Sequence, residues 1–132
     1  MNIFKKIAIW LMIVFYFVAG IKHFTNPTPY LSIIPSYVTY PNALNYLAGF
    51  FEITFALLIF PLQTRKYACF GIIIMLLAFI PAHIYMIEKA NVQPFVLGKF
   101  TITPFIAWLR VPFQALFIAW AYWCSKLKFN LL

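Results

Sequence analysis

The stretch NALNYLAGFFEITFALLIFPL-QTRK-YACFGIIIMLLAFIPAHIYMI, residues 42–87, decides the fold of this chain. It consists of two apolar runs of 21 residues each, separated by the four polar residues 63–66. A helix needs about 20 apolar residues to cross the hydrocarbon core of a bilayer. Because the connection is so short, the stretch predicts two antiparallel transmembrane helices joined by a tight turn.

Two further apolar runs, residues 7–24 and 104–125, flank this hairpin. Of the 132 residues, 65% are hydrophobic and only 9% are charged, whereas a soluble domain carries about 25% charged residues. Such a chain cannot cover a water-facing surface, which excludes a soluble enzyme, a disordered tail and a nucleic-acid-binding domain. The expected fold is all-α: one polytopic transmembrane four-helix bundle over residues 1–132, with spans near 7–24, 42–62, 67–87 and 104–125.

The distribution of charge indicates how the chain is oriented in the lipid bilayer. The formal net charge is +8, but the basic residues stand singly or in pairs at the ends of apolar runs, which is typical of membrane topology. Lys89 and Lys99 fall on one side of a four-span chain, and six basic residues fall on the other: Lys5, Lys6, Arg65, Lys66, Lys126 and Lys128. Since Lys and Arg are enriched in short cytoplasmic loops, both termini are predicted to be cytoplasmic.

The first apolar run has a second interpretation. Residues 7–24, with Lys5-Lys6 before them, would also pass as a cleavable signal peptide. Cleavage would leave three spans in the same orientation. Lys22 and His23 at the end of the run favour a retained span.

The connection between the first two spans, residues 25–41, carries four prolines and three tyrosines. The prolines exclude a continuous helix, and the tyrosines suit the headgroup level of a bilayer. We expect an ordered segment on the outer interface. It is either a lid over the bundle or a plain connector between two helix ends.

Polar residues inside apolar spans are costly unless they are paired or face a cavity. Counting about 1.5 Å per helical residue, the spans hold seven of them, all in the outer half or near the midplane: Lys22, His23, Asn45, Glu52, His83, Arg110 and Gln114. Helical side chains lean toward the N-terminus of their own helix, which brings these levels together. We expect one polar ligand-binding site under the outer surface, formed by Glu52, His83, Arg110, Gln114, His23 and Lys22.

Prolines and small residues predict the shape of this outer half. Pro81 and Pro112 each leave the carbonyl four residues earlier without its donor, and such a carbonyl inside a membrane must find another one. We therefore expect kinks that open the outer half while the inner half stays packed. Ala48, Gly49 and Ala56 lie around Glu52 and predict close approach of a neighbouring helix.

Other interpretations of the same residues stay open. Glu52 is a structural counter-ion for Arg110 or Lys22 in one of them. In another, His23 and His83, which match in depth, are the axial ligands of a b-type haem. No metal site is expected, since Glu52 lies deeper than either histidine. Cys69 and Cys124 form no CxxC motif and are expected to pack as apolar residues.

Several motifs resemble those of the DoxX family of small bacterial membrane proteins, in order and spacing, from about residue 7 to 123. They are GIKHF (20–24), then Tyr30, Ile33, Pro35 and Pro41, GFFE (49–52), Pro61 with Arg65, PAHIYM (81–86), RVPFQ (110–114), and Trp120 with Tyr122. Members commonly have Asn at the position of His83. The resemblance implies a four-helix bundle in the bacterial plasma (inner) membrane and an association with redox metabolism, since the family is named after subunits of a thiosulfate:quinone oxidoreductase.

The expected function is that of a redox-accessory subunit that binds a quinone or a similar lipophile in the outer-half pocket. Glu52 would accept a proton or a hydrogen bond, and Arg110, His83 and Gln114 would polarise a carbonyl. His23 and Lys22 would line the mouth. Besides the lipid bilayer, the partner would be a membrane or periplasmic redox protein. A non-enzymatic scaffold for a partner protein is the alternative, followed by a small transporter; catalysis and oligomeric state stay open.

Overall fold

The computed structural model describes residues 3–132, which form six helices and two short strands. In chain order these are α1 (Ile3–Thr25), α2 (Thr28–Leu31), α3 (Pro41–Ile59), α4 (Leu62–Ala78), α5 (Ile80–Val92), β1 (Phe95–Leu97), β2 (Phe100–Ile102) and α6 (Pro104–Ser125). Four helical segments are long and apolar enough to cross a membrane: α1, α3, α4 together with α5, and α6. The predicted count of four helical segments of sufficient length and hydrophobicity to span a membrane is confirmed.

The turn between the second and third spans is shorter than predicted. Only Phe60 and Pro61 separate α3 from α4, and residues 63–66 already belong to α4. Pro61 has an extended backbone and precedes the first helical residue, so the new helix begins immediately after it. The Thr64 hydroxyl then donates to the Leu58 carbonyl at 2.6 Å, which satisfies one carbonyl at the end of α3. The expectation of a polar loop over residues 63–66 was wrong.

The third span is divided at Phe79, as the helix distortion expected near Pro81 implies. Pro81 has no N–H to donate to the Leu77 carbonyl, so α4 ends at Ala78 and α5 begins at Ile80. The Phe79 N–H bonds to the Met75 carbonyl at 3.0 Å and closes α4. At Pro112, by contrast, α6 continues as one helix from Pro104 to Ser125.

A small antiparallel hairpin corrects the all-α expectation. Strands β1 and β2 pair with Phe95 opposite Ile102 and Leu97 opposite Phe100. Gly98 has a φ of +62°, a conformation that glycine adopts without steric cost and that two-residue hairpin turns require. The hairpin occupies the part of the chain that the sequence left as a connection.

The two ends of the bundle differ in composition and packing. The terminal end holds residues 3–9, 60–66 and 125–132, where the Arg65 side chain reaches the Leu127 carbonyl. The loop end holds residues 25–41 and 93–104, where Lys89 donates to the Ser32 carbonyl and lies 4.5 Å above the Phe95 ring. The larger apolar core lies toward the terminal end and contains both cysteines, which are buried and carry free thiols. A smaller core lies toward the loop end.

Arg65 is the largest side chain that is almost fully buried, with 1% of its surface exposed. Its guanidinium donates to four backbone carbonyls: those of Ile59, Phe60, Leu127 and Phe129, at 2.7–3.1 Å. These bonds join the start of α4, the end of α3 and the residues that follow α6. Arg65 is therefore not an exposed charge at the end of a span, as its position in the sequence suggested, but a buried side chain that joins three parts of the chain.

Helices α1 and α3 touch at a pair of glycines. A Cβ atom added at Gly49 would lie 2.6 Å from the Cβ of His23 and 2.9 Å from the Gly20 carbonyl oxygen. Neither residue tolerates a side chain there without a shift of the backbone. The close approach expected around Glu52 is therefore confirmed for α1.

Gly49→Ala is expected to lower the free energy of unfolding by about 1–3 kcal/mol, because it overpacks this contact. Thermal unfolding of the purified protein in detergent measures the effect. Ala43→Val enlarges an exposed position of the same helix and serves as the matched control. Equal stability of Gly49→Ala and the wild type would show that the two helices do not approach as described.

Candidate functional site

A cavity of about 260 Å³ lies inside the bundle. Its wall is formed by α1, α3, the break between α4 and α5, α6 and the segment that contains α2. Apolar residues such as Phe15, Leu76, Phe79 and Phe117 make up much of the lining. Eight polar or ionisable residues also line it: Tyr16, His23, Tyr30, Asn45, Glu52, His83, Arg110 and Gln114.

Three buried side chains on α1 and α3 form a connected group. The Nδ1 of His23 lies 2.6 Å from the Oδ1 of Asn45, and the Nδ2 of Asn45 donates to the His23 carbonyl at 2.8 Å. The Nε2 of His23 lies 3.3 Å from the Oε2 of Glu52. All three residues are at least 94% buried. We call them the His23–Asn45–Glu52 cluster.

The hydrogen bonds of Asn45 determine where the protons of His23 lie. The Asn45 amide nitrogen is engaged by the His23 carbonyl, so its oxygen faces Nδ1 and can only accept. Nδ1 therefore carries a proton. A neutral His23 would then face the Glu52 carboxylate with the lone pair of Nε2, which is repulsive. The contact is favourable only when the pair holds one further proton, on Nε2 or on Glu52.

Three buried polar atoms around the cavity lack a hydrogen-bond partner within residues 3–132. They are the Tyr16 hydroxyl, the Oε2 of Glu52, which lies near His23 but outside hydrogen-bonding geometry, and the Nδ1 of His83. Buried polar atoms are nearly always hydrogen-bonded in proteins, and an unsatisfied group in an apolar medium is costly. The arrangement therefore suits a polar guest in the cavity.

The segment with α2 covers the loop end of the cavity. The Tyr30 ring stacks on the His23 ring at a centroid distance of 3.8 Å, and Ile33 and Ile34 also line the cavity. Burial, together with the nearby Glu52 carboxylate, raises the pKa of the Tyr30 phenol, while Arg110 acts in the opposite direction. The phenol thus stays protonated at neutral pH. These contacts favour the lid over the plain connector, since Tyr30 packs directly on the cluster.

The opposite wall is built around the break in the third span. The Nε2 of Gln114 donates to the Leu76 carbonyl at 2.7 Å, which gives this carbonyl a donor from α6. His83, on α5, stands beside Gln114 in the lining. Arg110 is exposed and also lines the cavity, so it lies at an opening. The wall thus combines an amide, an imidazole and a guanidinium, all able to donate.

The structure brings five of the six predicted site residues to one cavity: Glu52, His83, Arg110, Gln114 and His23. Lys22 is exposed and is absent from the lining. Within residues 3–132, the basic side chain that pairs with Glu52 is His23. Neither Arg110 nor Lys22 forms an ion pair with Glu52. The counter-ion interpretation is not what the geometry shows.

Sequence reasoning left Tyr16, Tyr30 and Asn45 out of the site. A signal for two of them was present, because Tyr16 precedes His23 by seven residues and Asn45 precedes Glu52 by seven. Residues seven apart share one helix face. Each pair also has a glycine between its members, at the point where α1 meets α3.

The residues present do not fit a haem held by His23 and His83. The Nδ1 of His23 lies against the Asn45 side chain, and its Nε2 faces the Glu52 carboxylate at 3.3 Å, which leaves no room for iron on either nitrogen. Such a haem would need a free imidazole nitrogen from each histidine. Among residues 3–132 there is also no group of three or more His, Cys, Asp or Glu side chains that could hold a metal ion.

Comparison with known proteins gives a family but no described relative. No curated protein and no solved structure matches the chain. The family model for a domain of unknown function, DUF8561, matches residues 12–125. This range includes the cavity-lining residues, most of α1, and the other three segments that are long and apolar enough to cross a membrane. The chain therefore belongs to the DUF8561 family.

Proposed function

We propose that this protein is a membrane redox-accessory subunit that binds a quinone or a similar lipophile in the cavity between its helices. The observation that carries the proposal is a set of buried polar atoms around that cavity, on Tyr16, Glu52 and His83, that make no hydrogen bond within residues 3–132. Empty, they would remain unsatisfied inside an apolar bundle. A ligand with two polar oxygens on opposite sides of a ring would reach both walls.

The two walls offer complementary chemistry to such a ring. On the α1–α3 side, the His23–Glu52 pair holds one proton close to the Tyr16 hydroxyl. On the α6 side, Arg110, His83 and Gln114 offer donors that would polarise a carbonyl oxygen. Reduction of a quinone takes up two electrons and two protons. The site would bind the ring and deliver one of the two protons from the His23–Glu52 pair, the second proton would come from water, and both electrons would come from a redox partner protein.

The proposal extends to the placement of the chain in the cell. The excess of basic residues at the terminal end supports cytoplasmic termini, with the cavity in the outer half of the bilayer. The resemblance to the DoxX family supports a bacterial plasma membrane and a redox partner. Within this placement Tyr37 and Tyr40, which are 77% and 74% exposed, suit the outer headgroup region.

Glu52→Gln is expected to weaken binding of decylubiquinone by about tenfold or more, because hydrogen bonds to a charged group contribute about 1.5–3 kcal/mol. Titration of the purified protein in lipid nanodiscs measures the dissociation constant. Tyr16→Phe removes a hydroxyl that makes no hydrogen bond within residues 3–132, so it should weaken binding while leaving the empty protein at least as stable. Lys66→Gln, at an exposed residue of the terminal end, is the matched control.

Purified protein that carries no quinone and ignores added decylubiquinone would overturn the proposal. A partner protein that co-purifies in equal amount, and does so equally with Glu52→Gln, would then support the scaffold function instead. If Tyr16→Phe lowered the stability of the empty protein as much as it weakened binding, in free energy, the hydroxyl would serve the fold and not a ligand.

A further inference from the structure

We propose that the ligand is an amphiphile whose polar ring occupies the cavity and whose hydrocarbon tail leaves through a groove between α5 and α6. This inference rests on the proposed lipophile binding and specifies the shape of the ligand and its route from the lipid. The groove has a volume of about 530 Å³. Its residues are separate from the His23–Asn45–Glu52 cluster.

The groove is mostly apolar and runs along two helix faces, with Glu88 also in its lining. Ile80, Ile84 and Ile87 contribute from α5, and Val111, Ala115 and Ile118 contribute from α6. Residues three and four apart lie on one face of a helix, so each set forms a continuous stripe. Ile84, Val111 and Ala115 are exposed in the isolated chain, so in a membrane this stripe would face lipid.

Two side chains connect the groove to the cavity. His83 and Gln114 line both spaces, so they form the partition between them. They are also the donors on the α6 side of the proposed ring site. A ring held by these two side chains would have its substituents directed at the groove, with no further wall to cross.

Volume separates the roles of the two spaces. Small-molecule sites generally measure about 300–1,000 Å³, and the cavity, at about 260 Å³, falls below this range. It has room for a ring and not for a long chain as well. The groove has the volume that a hydrocarbon tail needs, and its lining is mostly apolar. In a membrane it would open toward the lipid.

A second apolar groove provides the competing exit. It lies between α3 and α4, includes Ala78, and adjoins the cavity at Leu44, Ala48 and Phe79. These three residues are apolar and hold no polar group of the ring. We infer the α5–α6 route because the residues that this groove shares with the cavity, His83 and Gln114, are the ones that would bind the polar ring.

The test uses two probes in lipid nanodiscs: decylubiquinone, and the same ring without a tail, 2,3-dimethoxy-5-methyl-1,4-benzoquinone. Ala115→Trp should fill the α5–α6 groove. The indole would occupy the space of the tail, so the affinity for decylubiquinone should fall by about tenfold. The affinity for the tailless ring should change by less than about twofold, which is smaller than the effect of losing one contact. Ala78→Trp, the same change in the other groove, should alter neither probe.

Each outcome separates this inference from the function on which it rests. Unchanged decylubiquinone binding in Ala115→Trp, equal losses for both probes, or a loss in Ala78→Trp instead would overturn the tail route while lipophile binding stands. Failure of the wild type to bind either probe would overturn the proposed function itself. Ile84→Trp fills the same groove from α5 and replaces Ala115→Trp if that variant does not fold.

Discussion

Arg65→Leu is expected to lower the free energy of unfolding by at least about 3 kcal/mol, since each buried carbonyl that loses its donor costs about 1–3 kcal/mol. The guanidinium donates to four carbonyls from two parts of the chain, the end of α3 and the residues after α6. Leucine fills some of the volume but donates nothing. Thermal or denaturant unfolding in detergent measures the loss.

Arg65→Lys and Lys66→Leu are the controls for this variant. Lysine keeps the charge but presents a compact ammonium in place of the planar fork of donors, so Arg65→Lys should recover only part of the stability. Lys66 is the exposed neighbour, and its replacement should change little. A fully stable Arg65→Leu protein would contradict the stapling role.

Asn45→Leu is expected to reduce both stability and ligand binding. It removes two buried hydrogen bonds to His23, and we expect a loss of about 2–4 kcal/mol in unfolding free energy because the His23 carbonyl and Nδ1–H are both left unsatisfied. Alternatively, a neutral His23 places its single proton on Nε2 facing Glu52 and leaves Nδ1 as an unsatisfied acceptor, so the pair no longer requires the further proton that it would deliver to a ligand. Decylubiquinone should bind about tenfold more weakly or worse.

Asn42→Leu provides the comparison, because Asn42 is exposed and lies one turn earlier on the same helix. Its unfolding midpoint and ligand affinity should match the wild type within error. If Asn45→Leu lost stability but bound decylubiquinone normally, Asn45 would be assigned to helix packing alone, and the cluster would not serve the ligand.

Much of the membrane fold follows from local sequence. Hydrophobic length alone identifies the spans, because lipid demands about 20 apolar residues per helix, and the predicted fourth span has the bounds of α6, Pro104–Ser125. Pro81 predicted the division of the third span, since a proline lacks the N–H of the helix whatever its surroundings. The β-hairpin was missed because its two strands have three residues each, too few to show a pattern.

Site residues could be predicted from the sequence where they belong to types that are rare inside apolar spans because their burial is costly. Glu52, His83 and Arg110 stand out in apolar spans because charge is expensive there. Tyr16 did not stand out, because a tyrosine is not rare in an apolar span, and Asn45 was recognised as a polar residue inside a span but could not be assigned to the site before its contacts with His23 were known. Arg65 was misread for a related reason: basic residues at span ends are normally exposed, and only the fold places four carbonyls around this one.

The Arg65 contacts have a consequence for biosynthesis. Two of its acceptors, Leu127 and Phe129, lie 62 and 64 residues farther along the chain, so the ribosome makes them only after all four spans. Until those residues are made, only two of the four acceptors of the guanidinium exist, and we expect its remaining donors to stay hydrated. The terminal end then closes as a late step, when translation delivers the residues beyond α6.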